Sequence, residues 1–339
     1  MIVHHLQPPP AQREGGLDAA IQGLCAALEN AGVKIDYELP ATFVPGSVVH
    51  LHGLWQPSYV AAARRCREQR VPYIVSPHGM LEPWAWRHKW WKKWPYYHLF
   101  EKRLLRGAAA LLATGDQEAA RLRDRLPGQC VETLPLGLTG EARPDYEAAR
   151  ARLGWPAGER VLLFLSRLHP KKGVELLLEA LAAQPAAAPR RLVVVGAGEP
   201  AYVRSLKALA ARLAPRLPRI DWIGPVWGED RWSYFQGADL FCLPTFSENF
   251  GLAVLEALQV GTPVLTTRTT PWGSQLEPPR GFICDPQSGS VGEALRTWLA
   301  QPVAPAAVRA QIAECAHARF AWENLIESYL ALYRSRVHP

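Results

Sequence analysis

The sequence predicts an α/β fold of two doubly wound domains, each a parallel sheet with helices on both faces. Apolar runs of strand length alternate with stretches of helical period, which is the pattern of parallel sheets. The alternation stops in a stretch rich in Gly, Pro and charge at 141–160 and then restarts. At 339 residues the chain exceeds what one core comfortably holds and fits two domains of ordinary size.

The opening IVHHL reads as the first strand and 17–31 as the helix after it, joined by a loop containing Gly15 and Gly16. Strands follow at 48–52, 72–76 and 108–114, with a helix at 59–69 and a largely helical aromatic, basic segment at 84–106. Beyond the junction expected in 141–160, strands are predicted at 161–166, 191–195, 221–223, 239–244 and 262–267, with helices at 174–183 and 201–213. One closing helix is predicted over 306–333. The run VVVGAGEP at 193–200 is a strand-end turn, since it does not match the GxGxxG dinucleotide loop.

Composition excludes several classes. With 48% apolar and 20% charged residues, the chain is that of a globular protein. No apolar run is long enough to span a bilayer, and the N-terminus lacks the basic start of a secretion signal. The six cysteines (Cys25, Cys66, Cys130, Cys242, Cys284, Cys315) show no CxxC or metal-type spacing and are expected to be free thiols in the cytoplasm. The net charge is +7, and nearly all the excess lies in 84–106. That window holds Arg87, Lys89, Lys92, Lys93, Lys102, Arg103 and Arg106 against the single acid Glu101, interleaved with Trp84, Trp86, Trp90, Trp91 and Trp94.

The most informative stretch is PTFSENFGLAVLEALQVGTPVLTTRTT, 244–270. Glu248 precedes a short apolar helix and Glu256 lies inside it. The N–H groups of Asn249, Phe250, Gly251 and Leu252 fall at the helix start, where aligned peptide dipoles favour an anion. Gly251 permits close approach of a ligand to the backbone. Earlier, SRLHPKKGVELLLEAL places Arg167 and Lys172 in the loop after a strand, where two fixed cations suit a diphosphate. His78, in SPHGM, again follows a strand. No DxD triplet is present, so no metal-bridged diphosphate is expected, and cations with a helix dipole would take the metal's place.

The spacing Glu, seven residues, Glu within SENFGLAVLEALQVGTPV closely resembles the donor-site motif of the group 1 retaining glycosyltransferases, family 4, which have the GT-B fold. The resemblance covers nearly the whole chain, most strongly 161–272 and more weakly before residue 72. It implies two Rossmann-like domains facing a central cleft: an acceptor-side domain over 1–145, a nucleotide-sugar donor domain over 146–320, and a last helix over 321–339 that packs back toward the first. It assigns Arg167 and Lys172 to the donor diphosphate, and Glu256 to the ribose hydroxyls. Glu248 and the backbone of Asn249, Phe250, Gly251 and Leu252 are assigned to sugar and phosphate. His78 would reach the donor sugar from the first domain, and Gly15 and Gly16 match a turn that approaches the diphosphate. PLGLTG at 135–140 departs from the family's Asn-Gly pair with its following Asp, so that polar role is absent here.

The function so implied is retaining, metal-independent transfer of a sugar from a nucleoside diphosphate sugar to a saccharide or lipid-linked acceptor, in bacterial cell-surface polysaccharide or lipopolysaccharide assembly. No cofactor is expected beyond the nucleotide-sugar co-substrate. The Trp-rich segment from Trp84 to Arg106 would dock on an anionic membrane surface, placing the enzyme peripherally on the cytoplasmic face. A nucleotide-sugar epimerase of the same fold is one alternative. Nucleic-acid binding by the Trp-rich segment is another, though no nucleic-acid partner is expected.

Overall fold

A computed structural model describes residues 1–9, 15–87, 90–138, 140–185 and 190–337; Lys89 of the basic segment lies outside these. The chain divides into two compact units, Met1–Thr139 with Arg319–Pro339, and Gly140–Ala318.

The first unit runs β1 (Ile2–Leu6), α1 (Gly15–Asn30), β2 (Lys34–Asp36), β3 (Ser47–His52), α2 (Pro57–Glu68), β4 (Tyr73–Ser76), α3 (Pro83–Arg87), α4 (Trp90–Tyr96), α5 (Lys102–Arg106), β5 (Ala110–Ala113), α6 (Asp116–Arg125) and β6 (Val131–Thr133). Its six strands are parallel in the order β2-β1-β3-β4-β5-β6. β3, β4 and β5 are buried at every position, as strands covered on both faces must be. β2 and β6, absent from the sequence reading, are three-residue edge strands carrying Lys34, Asp36 and Glu132, so no apolar run marks them. Gly15 and Gly16 are the first two residues of α1, where a loop had been expected.

The second unit runs α7 (Tyr146–Leu153), β7 (Arg160–Leu165), α8 (Val174–Ala182), β8 (Arg190–Val195), α9 (Pro200–Leu213), β9 (Arg219–Gly224), α10 (Asp230–Gly237), β10 (Leu240–Leu243), α11 (Leu252–Gln259), β11 (Val264–Thr267), β12 (Gly281–Cys284), α12 (Ser288–Leu299) and α13 (Ala306–Phe320). The parallel order is β12-β11-β10-β7-β8-β9, so successive strands run outward on one side of β7 and then restart on its other side at β10. Ligands of open parallel sheets bind at the carboxyl ends of the strands flanking such a reversal.

The stretch 141–160 is not merely a connection, because α7 lies within it. Arg150 of α7 is buried and donates to Asp239 (3.1 Å), whose carboxylate also accepts from Tyr146 Oη–H (2.7 Å) and from the Val161 N–H (2.7 Å). Arg309 packs its guanidinium 4.0 Å over the Tyr146 ring. Each buried charge thus has an opposite charge and hydrogen bonds, the condition for tolerating ions in a core.

The closing helix is two helices, α13 and α14 (Trp322–Val337), divided at Ala321. α14 belongs to the first unit, where Leu325, Tyr329, Leu330 and Tyr333 share a core with Val3, Leu24 and Ile74. The Trp322 indole N–H donates to the Leu138 carbonyl (3.1 Å). A Cβ at Gly23 or Gly137 would lie 2.5 Å from that indole, so the two glycines make the room that seats it.

Candidate functional site

The loop after β7 and the loop after β10 lie at the two strand ends that flank the reversal in the second sheet, and they are locked together. The Lys171 carbonyl accepts from the Phe246 N–H (2.8 Å) and from Thr245 Oγ1 (2.9 Å). Gly173 has φ +73°, and a Cβ there would stand 2.1 Å from the Pro244 carbonyl oxygen. Glycine is needed here for both reasons, left-handed backbone and absent side chain.

Lys172 Nζ then donates across the two loops to Glu248 Oε1, in a largely buried ion pair. Arg167 is exposed on the β7 loop, and Leu168 forms a parallel bridge to Gly198. That bridge fixes the β8 turn of the VVVGAGEP stretch. A Cβ at Gly196 would collide with the Ser166 carbonyl oxygen at 1.9 Å, and one at Gly198 with the Leu168 oxygen at 2.2 Å. These glycines therefore press the turn against the cation loop.

α11 starts after Gly251, which is left-handed at φ 81°, and its first turn closes when Val254 donates to the Gly251 carbonyl (2.8 Å). The amides of Leu252 and Ala253 precede that bond at the positive end of the helix. Trp272 secures the entry, its indole N–H donating to the Phe250 carbonyl (2.6 Å). Glu256, one turn into α11, is buried and paired with Arg231 of α10 at 3.2 Å, and Arg231 lies 4.5 Å over the Trp232 ring. Arg231 and Trp272 were missed in the sequence. Neither sits in a motif, and only the contact with Glu256 or Phe250 reveals it.

His78, Gly15 and Gly16 belong to the first unit. His78 follows β4 with φ +49°, a left-handed conformation that few non-glycine residues adopt, though His, Asn and Asp do so more often than most, and Gly79 follows at φ +73°. The Gly79 N–H donates to Glu118 Oε1 (2.7 Å), while Glu118 Oε2 accepts from the Thr114 N–H (2.9 Å). Burial raises the Glu118 carboxyl above its ordinary range. Trp55, after β3, is also left-handed at φ +68°, and its N–H donates to Glu101 Oε1 (3.2 Å). Burial pushes Glu101 up to about 7. One buried carboxyl thus anchors each of the two neighbouring strand-end loops.

Among the described residues, His5, His50 and His52 could hold a metal ion, with ligand atoms within 4.8 Å of one another, all buried. Their nitrogens are largely engaged already: His5 Nδ1 with His52 Nε2 (2.9 Å), His50 Nε2 with Ser76 Oγ (2.7 Å) and His50 Nδ1 with Tyr333 Oη (2.8 Å). All six cysteines are free. No helix among the described residues is long and apolar enough to cross a membrane.

Of the aromatic basic segment, Trp86 and Tyr97 belong to the first unit's interior, with Arg125 stacked 4.4 Å over Trp86. Trp90, Trp91 and Trp94 are 57%, 59% and 55% exposed, and Leu99 is 68% exposed.

Two parallel six-stranded sheets wrapped by helices, each in its own Rossmann-like unit, define the GT-B class of fold. The match of 145–317 to the family model "Glycosyl transferases group 1" spans just over half of the chain, and 3–137 match "Glycosyl transferase 4-like domain". The chain belongs to the group 1 glycosyl transferases. A curated relative, the D-inositol 3-phosphate glycosyltransferase of Saccharomonospora viridis, is 34% identical over 256 residues, covering 70% of this chain and 58% of that protein. The chain spans about half the length of the curated relatives it matches. Among solved structures, sucrose-phosphate synthase from Thermosynechococcus elongatus aligns with TM-score 0.79 at 21% identity, over 98% of both chains. Anabaena Alr3699/HepE in complex with UDP-glucose aligns with TM-score 0.76 at 18% identity, over 99% of this chain and 100% of that one.

Proposed function

We propose that this protein transfers a sugar, with retention of configuration and without a metal, from a nucleoside diphosphate sugar to a hydroxyl of a saccharide or lipid-linked acceptor in cell-surface polysaccharide assembly. One observation carries the reading: the Arg167/Lys172 loop and the Glu248–Glu256 loop occupy the strand ends on either side of the reversal between β7 and β10. Arg167 and Lys172 would bind the diphosphate and stabilise the charge that builds on it as the sugar departs. The start of α11, with Asn249, Phe250, Gly251 and Leu252, would receive phosphate and sugar oxygens, and Glu256 the ribose hydroxyls. The departing phosphate oxygen would take the acceptor proton, so no side-chain base is required. His78, Gly15 and Gly16 would serve the same donor from the first unit.

The similarity to a UDP-glucose complex supports a nucleoside diphosphate donor. Thermal-shift measurements with UDP, GDP, ADP and their sugars test this. A ligand at a hundredfold its Kd stabilises by about 2.7 kcal/mol. The reading requires stabilisation by at least one nucleotide, lost in Glu256→Ala, and turnover that survives a metal chelator. Stabilisation by none of them would overturn it.

A further inference from the structure

His78 ends a hydrogen-bonded file of imidazoles that enters the first unit's core. His78 Nε2 meets His52 Nδ1 (3.1 Å), and His52 Nε2 meets His5 Nδ1 (2.9 Å). The His52 ring plane lies at 8° to that of His78 and at 14° to that of His5, so the three rings are nearly parallel. His50 lies beside it, 4.0 Å from the His52 ring centroid, with both nitrogens held by hydroxyls of Ser76 and Tyr333. Burial lowers all four, His78 to about 4 and His5 to about 3, so the rings are neutral at pH 7.

A neutral imidazole has one N–H and one lone pair. The file therefore has only two consistent proton arrangements. In one, every proton sits on Nδ1: His5 donates to His52, His52 donates to His78, and His78 is left with an Nδ1–H to give. In the other, every proton sits on Nε2, and the spare N–H belongs to His5. Both terminal atoms, His78 Nδ1 and His5 Nε2, are buried side-chain atoms with no hydrogen-bond partner among the described residues. The ends differ in surroundings. His5 is 1% exposed inside β1, whereas His78 is half-buried at a strand end and lines a small, mostly apolar cavity that His52, Ser76 and Thr114 share with core residues such as Leu24 and Leu134. A stranded N–H is the costlier orphan, and of the two ends His78, part-exposed at a strand end, is the nearer to an incoming ligand.

We infer that His52 and His5 are positioning residues that fix His78 as the Nδ1–H tautomer, so that it acts as a hydrogen-bond donor to a ligand oxygen such as a sugar hydroxyl. The inference deepens the proposed function and rests on His78 facing the donor sugar. It makes His78 a donor at neutral pH and removes it from consideration as a proton acceptor through Nδ1. The left-handed backbone at His78, held through Gly79 and Glu118, keeps the ring at the end of the file.

Long-range 1H–15N spectra of the full-length protein carrying 15N-histidine report each ring's tautomer, with His78 assigned by its loss in His78→Ala. Nδ1–H is expected for His78, His52 and His5 in the wild-type protein. His52→Leu and His5→Leu should each shift His78 toward a mixture of tautomers, whereas His52→Asn, whose amide N–H can replace the Nδ1 donor, should keep it. Turnover in His52→Leu should fall roughly tenfold with little change in nucleotide Kd. An Nε2–H His78 in the wild-type protein, or a His78 tautomer indifferent to both leucine variants, would overturn the inference. The wild-type spectrum decides even where a variant does not fold. It needs no substrate, so its failure is distinct from that of the transferase reading, which rests on stabilisation by a nucleotide and its loss in Glu256→Ala.

Discussion

Lys172 and Glu248 are ion-paired across two loops that are 76 residues apart in sequence, with side chains only 14% and 10% exposed. Removing one partner of such a pair leaves the other charge largely buried and unmatched. If Lys172 also serves the donor diphosphate, Lys172→Ala both loses a cation and exposes the ligand to the Glu248 carboxylate.

Lys172→Ala is accordingly expected to cut turnover by roughly a hundredfold or more, from about 3 kcal/mol of lost charge-assisted bonding. Adding Glu248→Gln to that variant should recover part of the nucleotide affinity, measured by calorimetric titration, because the repulsive charge is gone. A double-mutant cycle with strictly additive losses would separate the two residues functionally.

Gly173 is the second point at which the loops are joined. Gly173→Ala places a methyl 2.1 Å from the Pro244 oxygen at φ +73°, whereas Gly158, at φ +83°, has nothing within 4 Å of the same position. Gly158→Ala should therefore cost only the left-handed penalty, about 1–2 kcal/mol. Gly173→Ala should cost clearly more in urea unfolding and abolish donor binding. Equal costs for the two would show that the Lys172 and Glu248 loops can separate freely.

Much of this architecture was legible beforehand because buried parallel strands are continuous apolar runs, and the motif loops follow them directly. LFCL and RLVVV could hardly be anything else. What escaped was short, polar or dependent on distant partners. β2 and β6 have no apolar run, and α7 carries Arg150, whose burial makes sense only beside Asp239, 89 residues later in the chain. The break at Ala321 was hidden because α13 and α14 are both helical and only one residue separates them. The histidine file was invisible as such. His5, His50 and His52 looked like strand residues, and parallel register alone brings them to one end of the sheet.

That file has a consequence for acid stability. His5, His50, His52 and His78 are held neutral by burial and would each take up a proton on unfolding below their ordinary pKa of 6.5. Their contribution to stability is thus present above about pH 6.5 and is lost as pH falls toward 4. Glu101 and Glu118, raised by burial, have the opposite sign and release protons on unfolding over the range between their unfolded and folded values. The four histidines outnumber the two carboxyls, so unfolding takes up protons on balance between pH 7 and 5, and each net proton contributes a slope of about 1.4 kcal/mol per pH unit. Urea unfolding between pH 7 and 5 should show that decline. A flat profile would mean that too few of the histidines stay neutral in the native state to outweigh Glu101 and Glu118.

The exposed aromatic patch gives the last prediction. Trp86 and Tyr97 face the core, so the membrane-docking proposal now rests on Trp90, Trp91, Trp94 and Leu99. Lys93 is also engaged inward, lying 5.6 Å over the Trp55 ring and donating to the Ala85 carbonyl. Arg87 and Lys92 are exposed basic residues beside the patch. Tryptophan favours the headgroup boundary, and each basic residue near an acidic leaflet adds about 1 kcal/mol. Co-sedimentation with phosphatidylglycerol-containing vesicles should therefore occur and weaken with salt, and it should drop about tenfold or more in Arg87→Glu/Lys92→Glu, where two attractions become repulsions. Trp90→Ser/Trp91→Ser/Trp94→Ser should abolish it on acidic and neutral vesicles alike while leaving thermal stability nearly unchanged, because these rings are more than half exposed already. Binding that ignores both lipid charge and these tryptophans would exclude the patch as a membrane contact.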